Sequence, residues 1–420
     1  MKDAFRLQMT PLQSLNKPVV LICATTWWQL SARMAMALLR HGCRVIAVCP
    51  PGHPLRFVSG IEALYLYESL DSIGALKEAI LKVKPDIIVP CDDGVVWQLH
   101  ALYAKFPQLR QLIEDSIGSP EMYATISSRA DLLITAAELG IRIPMTSEIR
   151  SRDDLAKWPF TSGVLKADGT WGGTGVEIVN SPTEAMVAYD KLSKPKGAGF
   201  AWKRLLVNRD PLALWSWRNG GKPRITMQQF IPGRPANAMF ACWKGEVIAI
   251  VAVEVLNSQG ATGSATVVQI REHLEIKDAA CKLARRLMLH GFHGLDFVLE
   301  KDTNNAYLIE LNPRCTQLGH LRLPDHGDLA GAFSSKLKSE TSTAPLDPIQ
   351  RDTIAFFPQA FLMNPKNPYL VLGYHDVPWE EPELLRQLLH GPWPERQWPA
   401  RLYHFFRPPK RPESLQIQVD

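Results

Sequence analysis

Near the start of the chain, continuously apolar runs alternate with helical segments. The runs are VVLICA (19–24), CRVIAV (43–48) and DIIVPCDD (86–93), and the helical segments between them span 29–40 and 71–83. Short, uninterrupted apolar runs are typical of strands that are covered on both faces. Strands that alternate with helices of this length form parallel sheets. The sequence therefore predicts a parallel α/β domain over residues 18–116.

The pattern changes after a helix that we expect over residues 129–140. The expected strands beyond it are VLKAD (164–168), VEIVNS (176–181), ITMQQFI (225–231), AMFACWK (238–244), EVIAIVAVEV (246–255), LDFVLE (295–300) and AYLIELN (306–312). We expect helices over 181–192 and 278–290, and an irregular stretch over 193–224. The strands within 225–255 should form a meander with a tight turn at Lys244-Gly245, and the last two strands should form a hairpin. This mixture predicts an α+β region over residues 117–335.

Prolines and tryptophans are concentrated in the last part of the chain. Proline interrupts regular structure because it lacks an N–H group and fixes φ. Trp379, Trp393 and Trp398 argue against disorder, because segments that cannot fold are poor in aromatic residues. We therefore expect an ordered, loop-rich extension over residues 336–420, packed on the rest of the protein.

Composition excludes several classes of function. A net charge of +5 over 420 residues is too weak to indicate a nucleic-acid partner. No apolar segment approaches the roughly 18 residues of a membrane span, and the first residues lack the apolar core of a signal peptide. The seven cysteines form no C-x-x-C pair, which indicates reduced thiols and a cytoplasmic protein. His290 and His293 lack further zinc ligands at suitable spacing, so packing is the favoured role for His290.

A glycine-rich run, GTWGGTG (169–175), separates two of the expected strands. Glycines let backbone N–H groups approach phosphate oxygens, because no Cβ intervenes. A Walker loop or a Rossmann fingerprint needs a helix directly behind the glycines, whereas a strand follows here. Lys166, just upstream, would place an ammonium beside such a loop. The run therefore indicates either a phosphate-binding loop or a plain hairpin turn.

The hairpin GLDFVLE…YLIELNPR carries acids between apolar residues. Neighbouring antiparallel strands can bring Asp296 and Glu310 onto one face. Two carboxylates held together repel each other unless a cation lies between them. Mg²⁺ prefers oxygen ligands, and Asn312 lies two residues beyond Glu310 and therefore on the same face. The hairpin predicts a magnesium site, or else one buried acid paired with Arg314.

Taken together and in this order, ADGTWGGTGV with Lys166, QQFIPG, LDFVLE and LIELNPR resemble the ATP-grasp superfamily of ADP-forming ligases. The resemblance covers roughly residues 18–335, and the NPR ending is similar to the carbamoyl-phosphate-synthetase and biotin-carboxylase branch. It implies an ATP-grasp fold of two lobes with the nucleotide between them, preceded by a parallel α/β pre-ATP-grasp domain. The chain has no biotin-attachment or glutamine-amidotransferase segment, so neither full activity of that branch is expected.

The resemblance also implies roles for individual residues. ATP would be bound by Arg129, Lys166, Gly172, Gly173, Gly175, Gln228, Gln229, Phe230 and Ile231. Magnesium would be bound by Asp296, Glu310 and Asn312. Catalysis would use Arg314 at the acyl phosphate or its carboxylate precursor, Lys166 at the phosphates and Arg271 near the γ-phosphate. Arg271 would fit a surface ion pair equally well.

Three positions depart from the pattern of this superfamily. Arg129 stands where many members have a lysine, which keeps the charge but changes its geometry. Gln228 and Gln229 stand where an acid commonly contacts adenine or ribose, and a glutamine carbonyl can still accept a hydrogen bond. Gly294 stands where the D-alanine ligase branch usually has an arginine.

The resemblance implies an ATP-dependent carboxylate–amine ligase that works through an acyl phosphate and releases ADP. The alternatives are an inactive nucleotide-binding regulatory protein and a carboxyphosphate-forming enzyme that uses bicarbonate. The expected partners are small-molecule carboxylates and amines. The basic, aromatic insertion at 193–224 would line an acceptor pocket or form an oligomer contact, which leaves a homodimer open.

Overall fold

A computed structural model gives the architecture of the chain. The structure describes residues 17–67, 71–159, 162–168, 175–194, 197–207, 214, 217–218, 223–323, 328–340, 347–407 and 414–417. None of the helices in these ranges is long and apolar enough to cross a membrane.

The N-terminal part forms a four-stranded parallel sheet with the strand order β3-β2-β1-β4. Its strands are β1 Val19–Cys23, β2 Arg44–Cys49, β3 Ala63–Leu66 and β4 Ile87–Pro90. Its helices are α1 Gln29–Arg40, α2 Ser72–Val83, α3 Asp93–Lys105 and α4 Arg110–Ile117. The predicted parallel sheet is confirmed. Strand β3 was not expected, because it alternates between half-buried and exposed residues, as an edge strand does.

A second, antiparallel sheet has the order β5-β8-β6-β7. Its strands are β5 Thr146–Ile149, β6 Gly163–Ala167, β7 Val176–Val179 and β8 Ile225–Gln229. The helices in this part of the chain are α5 Tyr123–Ser127, α6 Arg129–Glu138, α7 Arg152–Ala156, α8 Pro182–Leu192 and α9 Ala198–Val207. Leu165 and Met227 belong to one hydrophobic core with residues of α8. The alternate residues of β6 and β8 therefore point to the opposite face. Helix α9 corrects the expectation that residues 193–224 are irregular.

The largest sheet has the order β13-β12-β9-β10-β11-β14-β15, with β16 also pairing with β10. Its strands are β9 Gly233–Trp243, β10 Glu246–Gln259, β11 Ala265–Ile270, β12 Gly291–Glu300, β13 Ala306–Asn312, β14 Thr353–Phe356, β15 Tyr374–Asp376 and β16 Ser414–Gln416. Helix α10, Leu274–Arg286, covers one face. The other face shares a core with α1 and with α11, Leu329–Lys338.

Two expectations about the middle of the chain need correction. The three-strand meander is wrong, because β8 pairs within the second sheet and the chain then crosses to the largest sheet. The tight turn between β9 and β10 is confirmed, with φ of +49° at Lys244 and +80° at Gly245. The helix expected over 278–290 is α10, so His290 lies beyond its end and His293 lies in β12. His290 packs on Trp243, with ring centroids 4.7 Å apart, so its packing role is confirmed.

The C-terminal extension contains more regular structure than expected. Beyond α11 the chain forms α12 Gln359–Met363, α13 Tyr369–Leu372, α14 Pro382–Leu389, α15 Trp393–Arg396 and α16 Trp398–Phe406. Pro382, Pro394 and Pro399 occupy first-turn positions of three of these helices, where no N–H donor is needed. The expected boundary between residues 335 and 336 falls inside α11, and β14 and β15 extend the largest sheet.

A buried ion cluster joins distant parts of the chain. Asp376 of β15 accepts from Arg33 Nη2 of α1 at 2.5 Å. The other oxygen of Asp376 lies 2.6 Å from Nε2 of His320, which follows β13. Burial alone would raise the pKa of Asp376, but Arg33 and His320 hold it well below its ordinary value. The cluster therefore links α1 to β15, the strand at one edge of the largest sheet.

Candidate active site

Lys166 lies on the face of the second sheet that is not covered by α8. It stands opposite Thr226 in the pairing of β6 with β8, and Val164 stands opposite Gln228. Lys166 is only 6% exposed. Burial lowers the pKa of Lys166 to about 8, an effect that Glu310 opposes and Arg129 reinforces. Strand β6 therefore presents a buried ammonium toward residues of the largest sheet.

The two acids of the β12–β13 hairpin meet as predicted. Asp296 stands directly opposite Glu310, and Gly294 stands opposite Asn312. The register shifts just beyond Asp296, so the hairpin contains a bulge beside the acids. Asn237 Nδ2 of β9 donates to Asp296 Oδ1 at 2.6 Å, and Asn312 Nδ2 donates to Asp296 Oδ2 at 3.0 Å. Burial, followed by the charge of Glu310, raises the pKa of Asp296.

Arg129 bridges the two sheets that carry these groups. Its Nη2 donates to Glu310 Oε1 at 2.7 Å, and its Nη1 donates to Asp168 Oδ1 at 3.1 Å. Ser128 caps α6 and so fixes the start of the helix on which Arg129 lies. Burial would raise the pKa of Glu310, but Arg129 and Lys166 outweigh burial and lower it. The Glu310 side chain remains 33% exposed, so one side of this carboxylate is open.

Arg314 follows β13 and reaches the N-terminal sheet. Its Nε donates to Asp93 Oδ1 at 3.0 Å, and its Nη2 donates to Asn312 Oδ1 at 3.1 Å. The alternative in which Arg314 pairs with a buried acid of the hairpin is therefore wrong. Burial alone would lower the pKa of Arg314, but Asp93 raises it overall. The neighbouring Asp92 accepts from Val95 N at 3.0 Å and caps α3.

The structure does not bring every expected residue to this cluster. Gly169, Gly172 and Gly173 lie outside the described residues, whereas Gly175 O accepts from Ala167 N at 2.9 Å beside the paired strands β6 and β7. Gln228 is buried on the Lys166 face, Gln229 is exposed, Phe230 is 38% exposed and Ile231 is buried. Phe230 N donates to Ser162 O at 3.0 Å.

Arg271 is placed away from the acids. Its Nη2 donates to Gln269 Oε1 at 2.9 Å. It lines a cavity with Ala236 and Ile276, on the side of the sheet that α10 covers. Asn237, the residue after Ala236, contacts Asp296, and successive strand residues point to opposite faces. Arg271 is therefore on the wrong face to act beside these acids, and we leave it out of the site.

Three contact residues were not assigned a role from the sequence: Asn237, Asp93 and Asp168. Asn237 directly precedes the predicted strand AMFACWK (238–244), and its polar side chain is the one local signal. Asp168 and Asp93 each end a predicted strand, VLKAD (164–168) and DIIVPCDD (86–93). Their partners lie on other elements, so only the packing of the three sheets shows what they contact.

The donor set fits magnesium and a nucleotide. Asp296, Glu310 and Asn312 supply carboxylate and amide oxygens, the ligand type that Mg²⁺ prefers. No group of three or more His, Cys, Asp or Glu side chains is gathered anywhere in the described ranges, so a Cys/His metal centre is not formed there. Gln228 Nε2, Thr226 Oγ1 and Arg129 Nε are buried without a hydrogen-bond partner. Unpaired buried polar atoms near Lys166 and Glu310 fit a ligand rich in hydrogen-bonding groups.

Comparisons with known proteins agree with this geometry. Residues 197–317 match the family model for the ATP-grasp domain. A carboxyaminoimidazole ribonucleotide synthase from Aspergillus clavatus, complexed with ATP, has a similar structure at a TM-score of 0.57 and 14% identity, covering 80% of this chain and 81% of that chain. The biotin carboxylase domain of 2-oxoglutarate carboxylase from Hydrogenobacter thermophilus, in complex with MgADP, ADP and bicarbonate, is also similar. Its TM-score is 0.55 and its identity 13%, covering 78% of this chain and 70% of that chain.

An L-amino acid ligase from Bacillus licheniformis is also similar, at a TM-score of 0.54 and 16% identity, covering 80% of this chain and 78% of that chain. A search of curated protein sequences found no match. Identities this low show a shared fold and leave the reaction to be argued from the residues themselves.

Proposed function

We propose that this chain, which has the ATP-grasp fold and carries an ATP-grasp domain, is an ATP- and magnesium-dependent ligase that joins a carboxylate to an amine. The observation that supports the proposal most strongly is that Arg129 joins the two sheets through Asp168, beside the strand of the buried Lys166, and through Glu310, which stands opposite Asp296. One sheet offers a cation for phosphate groups, and the other offers oxygen ligands for a divalent ion. This pairing is what phosphoryl transfer from a nucleoside triphosphate requires.

In this proposal Asp296, Glu310 and Asn312 hold Mg²⁺, which neutralises charge on the phosphates. Lys166 and Arg129 bind the phosphate oxygens. To do so Arg129 must leave Glu310, which it contacts at 2.7 Å. Gln228, Gln229, Phe230 and Ile231 border the base, and the loop that contains Gly172, Gly173 and Gly175 covers the phosphates. Roles for Asp168 and Asn237 follow from their contacts: Asp168 positions Arg129, and Asn237 positions Asp296.

The reaction proceeds in two balanced steps. An oxygen of the substrate carboxylate attacks the γ-phosphorus, the bond to the bridging oxygen breaks, and ADP leaves. The amine nitrogen then attacks the acyl carbon, phosphate leaves with the bonding electrons, and the nitrogen proton passes to phosphate. Arg314 holds the carboxylate and then the acyl phosphate through its planar fork. Because all seven cysteines are free thiols, we also propose that the protein works in the reducing cytoplasm.

The test is magnesium-dependent ADP release across a panel of carboxylic acids and amines, with any amide product identified by mass spectrometry. We expect at least one acid–amine pair to stimulate ADP release. Glu310→Ala should abolish the stimulation, whereas Glu300→Gln, at the end of the neighbouring strand β12, should retain it. ATP binding without turnover across a broad panel would contradict the ligase and favour a nucleotide-binding regulatory protein.

A second candidate is an enzyme that forms carboxyphosphate from bicarbonate. It is favoured by Arg314, whose fork lies beside Asn312, and by the similarity to a carboxylase domain in complex with bicarbonate. This candidate predicts that bicarbonate stimulates ADP release without any organic acid present. The stimulation should be lost in Arg314→Ala. Stimulation by an organic acid in bicarbonate-free buffer would exclude it.

A further inference from the structure

The outward face of α16 is largely apolar. Ala400 is only 1% exposed, and Lys203 of α9 lies over the ring of Tyr403, 4.5 Å from its centroid, so Ala400 and Tyr403 form the inner face. A helix turns by about 100° per residue. Four large apolar side chains therefore fall within about 100° of one another on the outer face. We call them the aromatic face: Trp398, Leu402, Phe405 and Phe406.

The aromatic face is exposed to solvent in the part of the chain that the structure describes. Trp398 and Phe406 are each 74% exposed, Phe405 is 80% exposed and Leu402 is 54% exposed. The rings of Phe405 and Phe406 contact each other edge to face, with centroids 5.2 Å apart. Single exposed apolar residues are common in proteins, whereas a contiguous apolar patch marks an interaction surface. The aromatic face therefore calls for a partner.

The charges around the aromatic face are mainly positive. Arg401 and Arg407 of α16 are exposed. Residues 393–407 contain three arginines and one acid, Glu395. A second copy of this chain, related by a two-fold axis, would bring the same arginines together, and they would repel each other. The partner should therefore be anionic.

The aromatic face is small for a stable protein–protein interface, which engages about 20–30 residues on each side. Helix α9 adds Trp202 and Leu206, which are 44% and 52% exposed and lie one turn apart, but the set remains far below that number. A lipid surface sets no such minimum. Each apolar side chain that enters the boundary between headgroups and acyl chains contributes to binding, and each nearby arginine adds attraction to anionic headgroups.

We propose that α16 docks the protein on an anionic lipid bilayer. The aromatic face enters the boundary between headgroups and acyl chains, and Arg401 and Arg407 contact headgroup phosphates. The nine residues of α16 extend about 13 Å, so the helix lies on the bilayer and does not span it. This inference is independent of the proposed ligase activity.

The test is co-sedimentation of the full-length protein with lipid vesicles. We would compare vesicles of pure phosphatidylcholine with vesicles in which about one lipid in three is phosphatidylglycerol. The wild-type protein should bind the anionic vesicles at least about tenfold more tightly, because two exposed arginines are attracted to the surface. Added salt should weaken this binding, since it screens the attraction.

The aromatic face is tested by Phe405→Ser combined with Phe406→Ser. Both rings are already exposed, so their loss should leave the fold unchanged. This variant should bind the anionic vesicles at least about tenfold more weakly than the wild-type protein, because two apolar side chains no longer enter the bilayer. The matched control is Val371→Ser combined with Leu372→Ser, a comparably exposed apolar pair on α13, and it should bind as the wild-type protein does.

The charge contribution is tested by Arg401→Gln combined with Arg407→Gln. This variant should lose about tenfold or more in affinity for the anionic vesicles, while its affinity for phosphatidylcholine should not change. Equal affinities of this variant and the wild-type protein for the anionic vesicles would contradict the contact with headgroup phosphates.

Four other results would overturn the inference. They are wild-type protein that binds neither kind of vesicle, equal binding to both kinds, undiminished binding by the phenylalanine variant, and an equal loss in the control variant. Analytical ultracentrifugation tests the remaining partner. A wild-type dimer that becomes a monomer in the phenylalanine variant would show that a second copy covers the aromatic face, and the inference would then be wrong.

Discussion

The two arginines of the candidate site already have carboxylate partners. Arg129 contacts Glu310 and Asp168, and Arg314 contacts Asp93. In a partly buried site such charge-assisted bonds hold these side chains in place. Nucleotide binding must therefore exchange partners: phosphate replaces Glu310 at Arg129, and a divalent ion replaces Arg129 at Glu310.

Arg129 can be tested by two substitutions. Arg129→Ala should raise the KM for ATP about tenfold or more, because a phosphate contact and its charge are lost. Arg129→Lys should change the KM for ATP by less than about threefold, because the positive charge remains. The planar guanidinium that joins Asp168 and Glu310 is lost in this variant. Initial rates at saturating Mg²⁺ measure both values. A larger loss for the lysine variant than for the alanine variant would contradict this role.

Lys166 should limit activity at high pH. Burial lowers its pKa to about 8, so the ammonium is present below that pH and is lost above it. The kcat/KM for ATP reports the free enzyme and should therefore fall as the pH rises through about 8. Lys166→Arg stays charged and should flatten this limb of the profile. A wild-type kcat/KM that stays constant to about pH 9.5 would count against Lys166 as the phosphate contact.

Some residues of the site are placed by contacts between segments close in the sequence, and others by contacts between distant segments. The hairpin alone brings Asp296 opposite Glu310, because the two strands are close in the sequence, and that pairing was predictable. Asn237, Asp93 and Asp168 meet their partners across other strands and sheets, where no local pattern specifies the register. Arg271 was misplaced for the same reason, since the face it occupies depends on how β11 pairs with β10.

Among the elements, the β9–β10 turn was predictable because its signal is local. Both turn residues have positive φ, and a Cβ on Gly245 would come within 3.3 Å of Met288 Sδ. Gly245→Ala should therefore lower the free energy of unfolding by about 1 kcal/mol or more. Lys244→Asn should be neutral or slightly stabilising, because asparagine tolerates this conformation better than lysine. Urea denaturation measures both changes, and equal losses in the two variants would contradict the assignment.

Strand β8 and helix α16 show where local patterns mislead. Strands adjacent in the sequence usually pair, which is why β8, β9 and β10 were expected to form a meander. The segment after Gln229 instead crosses between sheets, and Pro232-Gly233 marks a break there without specifying which sheet the chain enters next. The prolines in the last part of the chain predict interruptions of regular structure, yet Pro399 lies in the first turn of α16, where proline is well tolerated.

For the whole molecule, the buried cluster of Arg33, His320 and Asp376 should be essential to stability. Asp376→Asn leaves the buried Arg33 with only the exposed Glu380, 3.9 Å away, as a compensating charge, and should lower the free energy of unfolding by roughly 3 kcal/mol. Asp302→Asn, at an exposed turn, should change it by less than about 0.5 kcal/mol.

The same cluster predicts a pH dependence with a definite sign. The pKa of Asp376 is lowered in the folded protein, so its stabilisation is present above the unfolded value of about 3.9 and is lost as the pH falls below it. The difference in the free energy of unfolding between the wild-type protein and Asp376→Asn should therefore become smaller as the pH falls. A gap that widens between about pH 5 and pH 3 would contradict the assignment.

The late position of β14 and β16 bears on how the chain folds during synthesis. The N-terminal sheet is complete once β4 has left the ribosome, but β11 must wait for a partner that begins at Thr353. At about 5–20 residues per second, that wait lasts several seconds, during which an apolar strand edge is uncovered. We expect overproduced chain to be lost to aggregation at this stage, and chaperones that shield nascent strands to raise the recovered yield.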